Sequence, residues 1–225
     1  IGSITTMQEM TPTIAANTSD GATAILTDTR DNQTYTVAKI NGNVWMTRNL
    51  AIGCNGSGSS YGSSVSSKSL DSTTSNVDTT WSTPTALLSD ASSSTQTADY
   101  SNGRMQCDTT YGAWYNYNAA TAGTISTDSN TTEASYSICP KGWKLPTNSE
   151  FTTLKDTSGS TTSFSPVTGG LYGNGSLQVT EYGLWWSSTA LNATHRYSLR
   201  YKGSSLDIDS YYRYRGYYVR CVGSL

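Results

Sequence analysis

ICPKGWKLPTNSEF, residues 138–151, places a cysteine, two prolines, a tryptophan and a helix start within fourteen positions. Thr147 stands three residues before Glu150, the spacing at which each side chain can satisfy the other's backbone N–H, and Pro146 fits a boundary just ahead of it. A short helix is therefore expected to run through Leu154. Upstream, ATAILTDTR (22–30), QTYTVAKI (33–40) and NVWMTRNL (43–50) alternate or cluster β-formers around DN and NGN turns, which reads as a β-meander. Downstream, Tyr182 to Val222 is aromatic, β-branched and Ser-rich, with glycines at Gly203 and Gly216, and reads as successive strands and loops. The expected class is α+β with few helices.

The segment 55–102 is a Ser/Thr/Gly-rich tract with isolated anchors Tyr61, Trp81, Leu87 and Leu88. A free linker would not need those anchors, so a long loop packed on the body is expected rather than a domain boundary. In YGAWYNYNAATAG (111–123), Trp114, Tyr117 and Ala120 lie at helical offsets and suggest a helix with one buried face. Residues 1–22, containing the Thr-rich SITTMQEMTPTIAAN, read as a stalk after a removed export or anchor segment, leaving residues 23–225 as one domain.

Polarity here comes from Ser, Thr, Asn and Gly, since only 13% of residues are charged, and the net charge of −2 gives no reason to expect nucleic acid or an anionic membrane as partner. No stretch approaches the roughly 20 apolar residues of a membrane span. From His195 onward six basic residues face two acids, so the tail is basic. Cys54, Cys107, Cys139 and Cys221 lack the CxxC spacing of a zinc site and fit an oxidising, extracellular or cell-surface setting. Three pairings are open. Cys54 with Cys107 and Cys139 with Cys221 is preferred, because the first bridge would staple the ends of the low-complexity tract; four free buried thiols are the alternative.

DTRDNQTYTVAKINGNVWMTRNL (28–50), ICPKGWKLPTNSEF (138–151), WWSST (185–189) and YYVRCV (217–222), in that order, closely resemble the Fibrobacter succinogenes major paralogous domain, over about Thr27 to Val222. The resemblance implies a C-type-lectin-like fold of the formylglycine-generating-enzyme-like variety, with 55–102 as an insertion. It implies core roles for Trp143 and Trp186, turn-fixing roles for Pro140 and Pro146, and a bond from Cys221 back to Cys139. The chain is also similar to the variable proteins of diversity-generating retroelements, whose C-terminal part is rewritten at adenine-containing codons.

Between WWSST and VRC, steady apolar alternation gives way to Tyr, Ser, Asp, Arg, His and Leu. An Asn codon randomised at its two adenines can yield those residues but never Trp, Lys, Met, Glu or Gln. Within residues 184–218 the candidate ligand-binding side chains are Leu191, His195, Tyr197, Arg200, Tyr201, Ser205, Asp207, Asp209, Ser210, Tyr211, Tyr212, Tyr214 and Arg215. Lys202 and Trp185 fall outside the randomisable set, and the resemblance, through the family's spacing before VRC, implies that Arg213 and Gly216 are framework. Tyrosines and arginines supply the rigid amphipathic area and multi-donor heads that dominate binding surfaces. The ligand expected is a protein or glycan on another cell or particle.

Catalysis finds little support. His195 is the single histidine and sits among these surface residues, with no nucleophile motif beside it. The EPN, QPD and WND calcium motifs of sugar-binding lectins are missing, so no metal or other cofactor is expected. The GNGS stretch (173–176) reads as a turn, and N-x-S/T triplets such as Asn130-Thr131-Thr132 are expected by chance at this Ser/Thr content.

Overall fold

A computed structural model describes residues 1–54, 69–82, 85–86, 103–124, 133–157, 159–173, 175–178 and 180–223. Tyr61, Leu87, Leu88 and the Asn130-Thr131-Thr132 triplet lie outside the described residues. The class is α+β, mostly strands with four short helices among the described residues.

The meander forms as the alternation requires: β1 (Thr23–Thr27), β2 (Thr34–Ile40) and β3 (Asn43–Met46) are antiparallel neighbours. The β2–β3 turn places Asn41 and Gly42 at φ of 45° and 83°, the left-handed pair that a two-residue hairpin demands. Alternate residues Tyr35 and Val37 of β2 are buried while Thr34 and Thr36 face solvent. The last strand, β15 (Val222–Gly223), enters the same sheet between β3 and β9 (Trp143–Lys144), giving the order β1-β2-β3-β15-β9. The chain's end is thus an interior strand of its first sheet. The bond Cys139–Cys221 fixes it there, and Cys54–Cys107 closes the other loop, as preferred from the sequence.

The Thr147–Glu150 box forms in both directions: Glu150 N donates to Thr147 Oγ1 at 3.1 Å and Thr147 N donates to Glu150 Oε2 at 2.8 Å. The helix it starts, Asn148–Asp156, runs two residues past Leu154 and buries Phe151 and Leu154. Part of the low-complexity tract is packed, for β4 (Ser69–Asp71) and β5 (Thr80–Ser82) pair as a hairpin and half-buried Trp81 rests on the core.

Two expectations are corrected. Residues 1–22 are not a stalk: Met7, Met10 and Ala15 are fully buried, α1 (Pro12–Asn17) is capped by Thr11, and Trp143 Nε1 donates to the Met7 carbonyl at 2.7 Å. These apolar residues, three and five positions apart, make this segment part of the core, a pattern that its Thr content obscures. Nor is 111–123 one helix. Gly112–Tyr115 forms β8 against β7 (Arg104–Asp108), and only Tyr117–Ala120 is helical (α2), because Asn116 accepts from the Ala119 N–H and caps a new start. Trp114 and Tyr117 are both buried, so strand alternation and helical spacing gave the same apolar pattern over too few residues to separate.

A buried ion pair ties the meander to the 138–151 stretch. Asp28 accepts from Arg30 Nη2 at 2.6 Å and from Gln8 Nε2 at 2.8 Å, while Arg30 Nη1 donates to the Ile138 carbonyl at 2.7 Å. Burial disfavours the Asp28 charge, yet the Arg30 guanidinium and these donors hold its pKa below the ordinary 3.8. The stability this contributes is fully present above the ordinary value and is lost as pH falls through the lower folded value. Asp28→Asn is expected to weaken the fold near neutrality and to flatten its acid limb. Melting temperatures of parent and variant between roughly pH 6 and pH 2 check this; parallel acid slopes would contradict it.

Candidate ligand-binding surface

Tyr182–Ala190 (β12), His195–Lys202 (β13) and Ser205–Tyr212 (β14) form an antiparallel three-stranded sheet. Gly203, at φ 65°, turns β13 into β14. Paired residues share a face, so the register sorts the side chains. On one face Trp185 lies opposite Leu199, which lies opposite Ile208; Tyr201 pairs with Leu206, Tyr197 with Ser210 and His195 with Tyr212. This face packs against Phe151 and Leu154 of the helix Asn148–Asp156, which becomes α3 in chain order. On the other, Trp186 lies opposite Ser198 and Asp209, Leu184 opposite Arg200 and Asp207, and Arg196 opposite Tyr211. Trp186, Leu184 and Tyr211 join the main core there.

The expected surface is therefore divided. His195, Tyr197, Tyr201, Ser210 and Tyr212 stand on the α3 side; Arg200, Ser205, Asp207, Asp209 and Tyr211 stand on the other; Leu191 lies in the β12–β13 turn, and Tyr214 and Arg215 follow β14. Ser205, Asp207 and Tyr212 are exposed, and most of the others are half-buried. Tyr214 is a correction, for at 2% exposure it belongs to the core and its ring stacks on Tyr212 at 5.4 Å. Leu184 to Ala190, Tyr217 and Tyr218, at the two ends of 184–218, are also buried and serve as scaffold.

Two polar clusters result. Where β14 ends, the His195 ring lies 4.2 Å from that of Tyr212, and Arg215 stands 5.8 Å over the same tyrosine. Burial, with Arg215 and Arg196 nearby, pulls the His195 pKa below its ordinary value, so the ring remains neutral at neutral pH. Its Nδ1 lies 2.9 Å from Thr194 Oγ1 rather than beside a carboxylate. On the opposite face Arg200 bridges Asp209 at 2.6 Å and Asp207 at 3.1 Å, and the Tyr211 hydroxyl donates to Asp209 at 2.9 Å. Burial and that bond to Asp209 push the Tyr211 pKa up, so the hydroxyl stays a donor.

Sequence reasoning missed the groups that hold this sheet. Arg196 is buried with its guanidinium 4.9 Å from the Tyr117 ring centre. Arg220 is buried between Phe164 and Trp185, at 4.4 Å and 5.0 Å, and donates to Asn49 Oδ1 at 2.8 Å and to the carbonyls of Phe164 and Ser165. Those two carbonyls end the helix Ser160–Phe164 (α4), so Arg220 works as its C-cap. Desolvation pulls its pKa down to about 9. Asn49 Oδ1 also accepts from Trp185 Nε1 at 2.8 Å, so RNL, WW and VRC meet at one amide. The signal was present: three of the four quoted motifs contribute a member.

The family model of the Fibrobacter succinogenes major domain matches residues 38–168, more than half of the 225 residues. The chain belongs to this family. No curated protein and no solved structure compared with it matches. In this Fibrobacter succinogenes major domain the matched span runs from within β2 to just beyond α4. The β12–β14 sheet with its candidate surface lies outside the span, on the C-terminal side.

Proposed function

We propose that this chain is a non-catalytic ligand-binding domain with a C-type-lectin-like fold, and that its β13–β14 hairpin is a diversified contact surface for a protein or glycan on another cell or particle. One observation carries the reading. Along the hairpin, Tyr197, Tyr201, Asp207 and Tyr212 retain exposure, while Arg196, Ser198, Leu199 and Leu206 between them are buried. Replaceable groups on a fixed scaffold are what a binding module needs, because rigid elements keep the entropic cost of engagement low. Two disulfides favour an oxidising, extracellular or cell-surface setting.

A display library randomised at Tyr197, Tyr201, Asp207 and Tyr212 is expected to remain mostly folded and to yield binders to unrelated proteins. Unfolding of most members would defeat the reading. Gene context separates its two forms: a neighbouring reverse transcriptase and a template repeat differing only at adenines mark diversification. Their absence marks a fixed-specificity, lectin-like carbohydrate-binding surface.

A further inference from the structure

A second concave site lies away from the hairpin's candidate side chains. Between the segment Glu133–Ser137 and the turn leading into β9 is a cleft of about 380 Å³, closed at the back by Ser188 of β12 and Thr147 ahead of α3. That size falls at the small end of ligand sites, which run roughly 300–1,000 Å³ and are mostly apolar. This one is not. Its lining residues include the polar Ser135, Tyr136, Ser188 and Asn76 and the charged Glu133, Lys141 and Lys144.

The walls are held from behind. Asn76 Nδ2 donates to the buried Ser137 Oγ at 2.9 Å, the neighbouring Cys139 is bridged to Cys221, and Thr147 is locked in its capping box. Backbone groups around the cleft are already paired: Ala134 N donates to the Ser188 carbonyl at 3.0 Å, Ser188 N to Pro146 at 2.7 Å and Trp143 N to Pro140 at 3.0 Å. An added peptide strand would find these donors occupied, so recognition falls to side chains. The Asp78 carboxylate near the Tyr136 hydroxyl pushes its pKa up, and the half-buried ring forms part of the wall.

The charges divide in the same way. Lys144 is paired with Glu150 at 2.8 Å. Exposed Lys141, by contrast, makes no side-chain hydrogen bond or ion pair among the described residues. Serine hydroxyls, an amide and the Glu133 carboxylate match ligand hydroxyls, and an ammonium matches a carboxylate with a charge-assisted bond. We propose that this cleft binds a saccharide of one or two rings carrying a carboxylate, with Lys141 holding the acid group and Glu133, Asn76 and Ser188 the hydroxyls. The proposal does not rest on the hairpin reading.

The test is an NMR titration of the ¹⁵N-labelled domain with digalacturonate, with cellobiose as the neutral counterpart, up to about 20 mM, where millimolar binding is visible. Amides of Ser135, Gly142 and Ser188 are expected to shift with the acid, and cellobiose to bind at least about tenfold more weakly. Lys141→Ala should weaken the acid by a similar factor while leaving the spectrum otherwise unchanged, and Lys141→Arg should restore it. Tyr212→Ala should have no effect on this site. An absence of shifts with digalacturonate, shifts confined to the hairpin, or equal affinity in Lys141→Ala would each overturn the proposal.

Discussion

Reducing both disulfides is expected to unfold the domain at temperatures where the oxidised protein is folded. The bridges span 53 and 82 residues, and loop closure of that length removes about 4 kcal/mol each from the denatured chain's advantage. Together that rivals the roughly 5–15 kcal/mol by which a domain is stable. The two bonds are not equivalent. Cys139 and Cys221 are both fully buried, and their bond holds β15 as an interior strand between β3 and β9, whereas Cys54 is only half-buried. Replacing Cys139 and Cys221 together by Ser should therefore lower the melting temperature more than replacing Cys54 and Cys107. A loss of about 4 kcal/mol corresponds to roughly 8–16 °C for a chain of this size. Thermal melts of both paired variants, and of the parent with and without reductant, give the answer. If the reduced protein melts within a few degrees of the oxidised one, the bonds are incidental to a core that is sufficient alone.

What the sequence disclosed depended on how local the cause was. The capping box at Thr147 and Glu150 and the turn at Asn41-Gly42 are set by neighbours a few residues apart, and both appear where the residue types put them. The packing of residues 1–22 was not legible. Met7 and Met10 find their partners in Trp143 and β15, far along the chain, and nothing local marks a short Thr-rich segment as core. The binding surface was legible in composition and illegible in geometry. Tyr211, Tyr212 and Tyr214 are alike in sequence, yet the strand alternation points the first toward the main core and the second toward solvent, and Tyr214, beyond the strand, folds under Tyr212. Arg196 and Arg220, counted with the basic tail, are buried scaffold; an arginine's charge suggests solvent, but its stem and flat head suit aromatic pockets.

Trp186→Ala is expected to cripple the fold, and substitution of the exposed hairpin residues to leave it nearly intact. Trp186 is fully buried, donates from Nε1 to the Tyr115 carbonyl at 2.7 Å, and lies 4.2 Å from the Tyr217 ring and 5.4 Å from that of Tyr117. Truncation leaves a large cavity and removes the indole bond, although the Tyr115 carbonyl still accepts from the Tyr217 N–H at 3.0 Å; the expected loss is about 3–5 kcal/mol. On the same sheet Tyr197, Asp207 and Tyr212 retain exposure, and replacing each by Ser should change stability by no more than about 0.5 kcal/mol. Tyr214→Ala is the informative intermediate. It removes a ring that is 2% exposed from against Tyr212, so it should destabilise far more than Tyr212→Ala, though the two tyrosines are two positions apart. Thermal or denaturant unfolding of the Trp186, Tyr212 and Tyr214 variants and of the triple Ser variant orders them. If the triple variant melts as far below the parent as Trp186→Ala does, the hairpin's outward residues are structural and the contact surface must lie elsewhere.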